Sequence, residues 1–106
     1  MTGSTNATKI SFVYSNPTDP AAFEAAYPAQ IELARGLPGL TRLQASKVWP
    51  KEDGTPTPAY RLLDLYFPDY DAASAAASQA GPLVGATLAN ATGGVVIAFA
   101  EILEES

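Results

Sequence analysis

The chain has 106 residues, of which 47% are hydrophobic, 16% charged and 9% aromatic, the balance of one small globular domain and too apolar for a disordered segment. Eleven acidic residues against six basic ones leave a net charge of −5, which argues against nucleic-acid phosphates as the main partner. Cysteine and histidine are both absent, which removes disulfides, thiolate catalysis, iron–sulfur ligation, the commonest metal ligand and the usual base of a nucleophilic serine.

Residues 1–8 are small and polar and read as a flexible N-terminus. They lack the apolar core of a signal peptide, so the expected location is cytoplasmic. No apolar run approaches the length of a membrane span. Lys9 to Ser15 reads as a first strand, with Ile10, Phe12 and Tyr14 alternating with Ser11 and Val13. Asp19 followed by Pro20 is a helix start, an N-cap acceptor and then proline at the first helical position. Phe23, Tyr27, Ile31 and Ala34 follow at helical spacing and continue past Pro28, which predicts a kinked helix rather than a broken one. Gly36 and Leu37-Pro38-Gly39-Leu40 end it.

Thr41 to Trp49 reads as a second strand, and the polar loop from Lys51 to Pro58 as a hairpin connection. Ala59 to Phe67 is the third strand. Asp69 caps a second, alanine-rich helix that Gly81-Pro82 interrupts before Leu83, Val84 and Leu88. Asn90 to Gly94 is a loop, and Val95 to Leu103 a last apolar strand. The order β-α-β-β-α-β predicts an α+β ferredoxin-like fold, a four-stranded antiparallel sheet with its helices on one face.

Pairing strands two and three about Gly54 sets Gln44 opposite Asp64 and Arg42 opposite Tyr66. One face then carries Arg42, Gln44, Ser46, Tyr60, Leu62, Asp64 and Tyr66. The other carries Leu43, Ala45, Lys47, Trp49, Arg61, Leu63, Leu65 and Phe67, and suits covering helices. A one-residue slip would mix the two sets. The first face is left open with apolar side chains on it, which marks a partner surface. The expected partner is a second copy, giving a homodimer with a pocket between the two sheets. Trp49, beside Pro50, is expected to pack or to lie at an interface, and Glu24 to be solvated surface.

Four motifs occur in series: Asp19-Pro20-x-x-Phe23-x-x-x-Tyr27, Leu37-Pro38-Gly39-Leu40, Tyr60-Arg61-x-x-x-Leu65-Tyr66-Phe67, and Leu88-Ala89-Asn90-Ala91-Thr92-Gly93-Gly94. In this the chain resembles the EthD family, named for ethyl tert-butyl ether degradation. The likeness covers a single domain over residues 9–103, ahead of an acidic tail at 104–106. The resemblance implies a dimeric α/β barrel and an association with oxidative degradation, for which some members are labelled oxidoreductase-related. Relatives with the same barrel include cofactor-free cyclases, isomerases and monooxygenases. Family members commonly carry a histidine in the first helix. Gln30 is the nearest match here, and glutamine takes up no proton near neutral pH, so that acid–base role is lost.

Asp64 is the most informative carboxylate, because aspartate is disfavoured in mid-strand. It reads either as a structural partner of Arg42, Gln44 or a tyrosine hydroxyl, or as a general base lining the dimer pocket. Tyr14, Tyr27, Gln30, Arg42, Gln44, Tyr60, Leu62 and Tyr66 are the candidate ligand-binding residues. No metal, haem, flavin or nicotinamide is expected, since the chain lacks the ligands and the dinucleotide fingerprint. Gly93-Gly94, the only adjacent glycines, precede a strand rather than a helix, which is wrong for a phosphate cradle. Three readings follow: a binding or accessory protein for a small, mostly apolar organic molecule; a cofactor-independent enzyme using Asp64 for proton transfer; and a structural dimer without ligand.

Overall fold

Alternating apolar residues and two aspartate caps set the elements. In chain order they are β1 (Thr8–Tyr14), α1 (Pro20–Arg35), β2 (Arg42–Lys47), β3 (Arg61–Phe67), α2 (Tyr70–Ala77), α3 (Gly81–Asn90) and β4 (Val95–Glu101), in a computed structural model that describes residues 6–105. Asp19 and Asp69 both adopt extended backbone and accept from the amides of Ala22 and Ala72, which satisfies orphan donors of the first turns. Helix α1 runs unbroken through Pro28, although the Glu24 carbonyl receives no donor from the proline. Residues 1–5 of the expected flexible N-terminus, and Ser106 of the acidic tail, lie outside the described residues. Thr8 already opens β1 and is buried.

The sheet is antiparallel with order β2-β3-β1-β4, the ferredoxin-like arrangement. Arg42 faces Tyr66 and Gln44 faces Asp64, the register expected from the hairpin. Ile10, Phe12 and Tyr14 of β1 and Leu63, Leu65 and Phe67 of β3 turn to the helices and form the core with Phe23, Tyr27, Ala34, Ala73, Ala76 and Leu83. The alanines let α2 lie close on β1 and β3, while α1 packs against α3.

Gly93 and Gly94 turn out to serve the fold. A Cβ on Gly93 would stand 2.0 Å from the Asn16 carbonyl oxygen, and Gly94 takes φ 104°, a region that side chains disfavour. The Gly94 carbonyl then accepts from the Ser15 amide at 3.0 Å, which seats the start of β4 beside the end of β1.

Two expectations about the β2–β3 segment fail. Strand β2 ends at Lys47 rather than running to Trp49, whose side chain is 88% exposed in the single chain and so does not pack within it. Tyr60 sits at a bend before the first residue of β3, so strand alternation does not govern it. Its ring meets Phe23 of α1 edge-on at 5.2 Å, on the helix side rather than the open face.

Candidate functional site

The pairing register arranges the uncovered sheet face in rows. Ser46, Leu62, Val13 and Val96 form one; Gln44, Asp64, Ser11 and Ala98 the next; Arg42, Tyr66, Lys9 and Ala100 the third. Arg42, Gln44, Leu62, Asp64 and Tyr66 therefore share this face, as expected from the sequence. Their partners differ from those expected of Asp64. The carboxylate accepts from Ser11 Oγ at 2.5 Å and has Lys9 Nζ at 3.7 Å, both from β1. On the β2 side, Tyr66 donates its hydroxyl to Gln44 Oε1 at 2.7 Å, and the Arg42 guanidinium lies over the Tyr66 ring at 5.2 Å. The sequence reading looked to the hairpin partner and missed β1, whose position between β3 and β4 is a matter of topology.

Tyr14, Tyr27 and Gln30 are not on that face. They lie together beneath the helices, each less than a tenth exposed. Gln30 donates from Nε2 to the Tyr14 hydroxyl oxygen. Asn90 of α3 donates to the Phe23 carbonyl at 3.2 Å and approaches Gln30 Oε1 at 3.5 Å. Among the described residues the buried Tyr27 hydroxyl has no hydrogen-bond partner. The buried Thr87 hydroxyl stands beside the Tyr14 oxygen, where its hydrogen bond acts to lower the tyrosine pKa. Burial dominates at both tyrosines and pushes their pKa values up, so both hydroxyls keep their protons at neutral pH and can act as donors.

Aromatic rings surround these groups. Tyr14 meets Phe23 and Tyr27 edge-on at 5.4 and 6.0 Å, and Phe23 stacks on Tyr27 at 5.2 Å. Such contacts fix the rings beyond simple burial. An ion pair closes the cluster. Arg61 donates from Nε and Nη2 to the two oxygens of Glu24, at 3.1 and 2.5 Å, and its guanidinium covers the Tyr27 ring at 4.6 Å. Tyr60 donates to the same carboxylate at 2.9 Å. The hydrogen bond from Arg61 is the main cause that holds the Glu24 carboxyl below its usual range.

Glu24, Arg61, Thr87 and Asn90 were missed as site residues, and Glu24, expected as solvated surface, is half-buried and paired with Arg61. One signal was present: Arg61 falls on the same alternation as Leu63, Leu65 and Phe67, and a charge on a covered face requires a partner. Nothing local identifies Glu24, Thr87 or Asn90.

No family model matches the sequence. An uncharacterised 11.0 kDa protein from the thcB–thcC intergenic region of Rhodococcus erythropolis is 38% identical over 96 residues, covering 88% of this chain and 92% of that protein. Among solved structures, an EthD family protein of Bacillus halodurans superposes with a TM-score of 0.82 at 19% identity, covering 92% of this chain and 99% of that one. SnoaB, a cofactor-independent oxygenase of Streptomyces nogalater, and a dimeric ferredoxin-like protein of unknown function from Thermobifida fusca each give 0.66 at 16% identity. Both cover 96% of this chain, and 97% and 96% of their own. The resemblance to EthD proteins read from four motifs thus holds over the whole fold.

Proposed function

We propose, since the chain belongs to one family with the 11.0 kDa Rhodococcus erythropolis protein and carries the EthD fold, that it is a homodimeric protein binding a small, mostly apolar organic molecule with an acceptor oxygen. The observation that carries the ligand is the unpartnered hydroxyl of Tyr27, buried beside Tyr14. Leaving a buried donor unpaired costs roughly 1–3 kcal/mol, so an occupant that accepts from it is favoured. An ether, carbonyl or hydroxyl oxygen meets that requirement, and the Tyr14, Phe23 and Tyr27 rings suit an apolar body. Tyr14 and Gln30 position the acceptor, and the Glu24–Arg61 pair orients Tyr27 and Tyr60.

The dimer rests on the uncovered face, where Leu62, Val13 and Val96 form an apolar row that no element among the described residues covers. The Thermobifida fusca neighbour, described as dimeric, supports the same reading. In such a dimer Arg42, Gln44, Asp64 and Tyr66 would face the barrel interior. A role accessory to oxidative degradation of ethers or aromatics agrees with this ligand chemistry.

A second reading, a cofactor-independent enzyme with Asp64 as proton acceptor, is favoured by the place of that carboxylate on the uncovered face, in one row with Ser11 and Gln44. The SnoaB likeness lends it a precedent on the same fold. A thermal-shift screen of small ethers, ketones and aromatic alcohols tests the first reading. Compounds that raise the midpoint of the wild type in proportion to ln(1 + [L]/Kd), but not that of Tyr27→Phe, support it. Equal shifts in both proteins overturn the assigned site. Turnover of any stabilising compound that Asp64→Asn abolishes promotes the second reading.

A further inference from the structure

A separate cleft lies under the β2–β3 loop, away from the buried hydroxyls. Its volume is ≈ 570 Å³, and Lys47, Val48, Pro50, Lys51, Pro56 and Tyr60 are among the residues that line it. That volume falls within the range of small-molecule sites, and most of this lining is apolar. The charge on it runs against the charge of the chain. Two of the six basic residues line the cleft, and none of the eleven acidic ones does. Neither Lys47 nor Lys51 pairs with a carboxylate among the described residues.

The carboxylates nearby are already engaged. Glu24 is hydrogen-bonded by Arg61 and Tyr60, and the Lys47 charge acts on it only at longer range, without an ion-pair contact. Asp53 accepts from the Thr55 amide at 3.0 Å and hydroxyl at 2.7 Å. Glu52, the remaining acid of the loop, is exposed and does not line the cleft. The Lys47 ammonium sits 5.4 Å from the centre of the Tyr60 ring, which fixes it at the wall.

The walls are also set in advance. The Gly54 amide donates to the Lys51 carbonyl at 3.1 Å to close a turn. Asn16 donates to the Thr57 carbonyl at 3.1 Å and ties the far side of the loop to the end of β1. Pro50, Pro56 and Pro58 restrict the backbone between. A loop held this way loses little entropy when a ligand enters.

We propose that this cleft binds a small organic carboxylate, with its anionic group between Lys47 and Lys51 and its apolar body against Val48, Pro50, Pro56 and the Tyr60 ring. The site shares the Tyr60 ring with the reading above but uses neither Tyr27 nor Thr87, so Tyr27→Phe should leave benzoate binding here unchanged. The chain's one tryptophan, Trp49, stands between the lining residues Val48 and Pro50 and provides a direct signal.

Sodium benzoate is titrated against the full chain while Trp49 fluorescence is followed, with calorimetry in parallel. Benzamide serves as the neutral isostere and sodium acetate as the anion without an apolar body. Saturable benzoate binding, about tenfold tighter than benzamide and than acetate, supports the proposal. Lys47→Gln/Lys51→Gln should weaken benzoate about tenfold or more while leaving benzamide unchanged. Both lysines are exposed, so the variant folds as the wild type does, and an unchanged thermal midpoint verifies this. Equal affinity for benzoate and benzamide, undiminished benzoate binding by the double variant, or no binding up to about 10 mM overturns the proposal.

Discussion

Tyr27→Phe and Tyr14→Phe remove one hydroxyl each from neighbouring buried rings, and they should change stability in opposite directions. The Tyr27 hydroxyl has no partner among the described residues, and its residue is 5% exposed. Folding strips that group of water without replacing the lost hydrogen bond. Removing it should therefore stabilise the ligand-free protein by roughly 1 kcal/mol or more, within the 1–3 kcal/mol cost of an unpaired buried group. The ring stack on Phe23 and the Arg61 guanidinium over the ring stay in place. The Tyr14 hydroxyl, by contrast, accepts from Gln30, itself 1% exposed. Its loss leaves that amide unpaired and should destabilise by about 1–3 kcal/mol. With an m-value of about 1–3 kcal/mol/M, each 1 kcal/mol moves the urea midpoint by roughly 0.3–1 M, so the two variants should separate clearly. The assay is urea unfolding of refolded protein, free of carried-over small molecules, with equal m-values required for the comparison. A Tyr27→Phe variant that loses about 1 kcal/mol would refute the reasoning, because it would mean that the hydroxyl is satisfied in the native state.

Light scattering at micromolar concentration should return about twice the 11.0 kDa chain mass, and Leu62→Asp should return the monomer; a wild-type particle of 11.0 kDa would defeat the dimer. Glu24 has a folded-state pKa held below its unfolded value, chiefly by Arg61, so its contribution is present above the unfolded pKa of about 4.3 and is lost as pH falls through the lower folded value. Glu24→Gln should therefore flatten the stability–pH curve on its acid limb, and a limb unchanged in steepness would contradict the pairing. Asp64→Leu should alter stability by no more than about 0.5 kcal/mol, because the Ser11 and Lys9 groups it leaves are partly solvent-accessible; a large loss in chemical denaturation would assign Asp64 a structural role. The purified protein should show no visible absorption band, as a chain with no histidine or cysteine offers few ligands to haem or an iron–sulfur cluster.

Much of the architecture was legible in the sequence because it is written in short-range chemistry. Asp19-Pro20 and Asp69 start helices where the nearest backbone amides need an acceptor. The alternation of Leu63, Leu65 and Phe67 with Leu62, Asp64 and Tyr66 determined which residues share a face, since strand side chains repeat every two positions. Hairpin pairing about Gly54 followed from the same alternation. That rule stops at the end of a strand, and Tyr60, one residue before β3, bends to the helix side and escapes it. Only the tertiary structure decided which long-range partners meet. The order β2-β3-β1-β4 brings Ser11 and Lys9 to Asp64, where a hairpin argument sees only Arg42 and Gln44. The packing of α1 on α3 brings Asn90 to Gln30, and α1 over the sheet brings Glu24 to Arg61 and gathers Tyr14, Tyr27 and Gln30 in the core. These residues lie 16 to 60 positions apart, and no local periodicity encodes contacts across such separations; they exist because burying one helix face sets each side chain against whatever the sheet presents there.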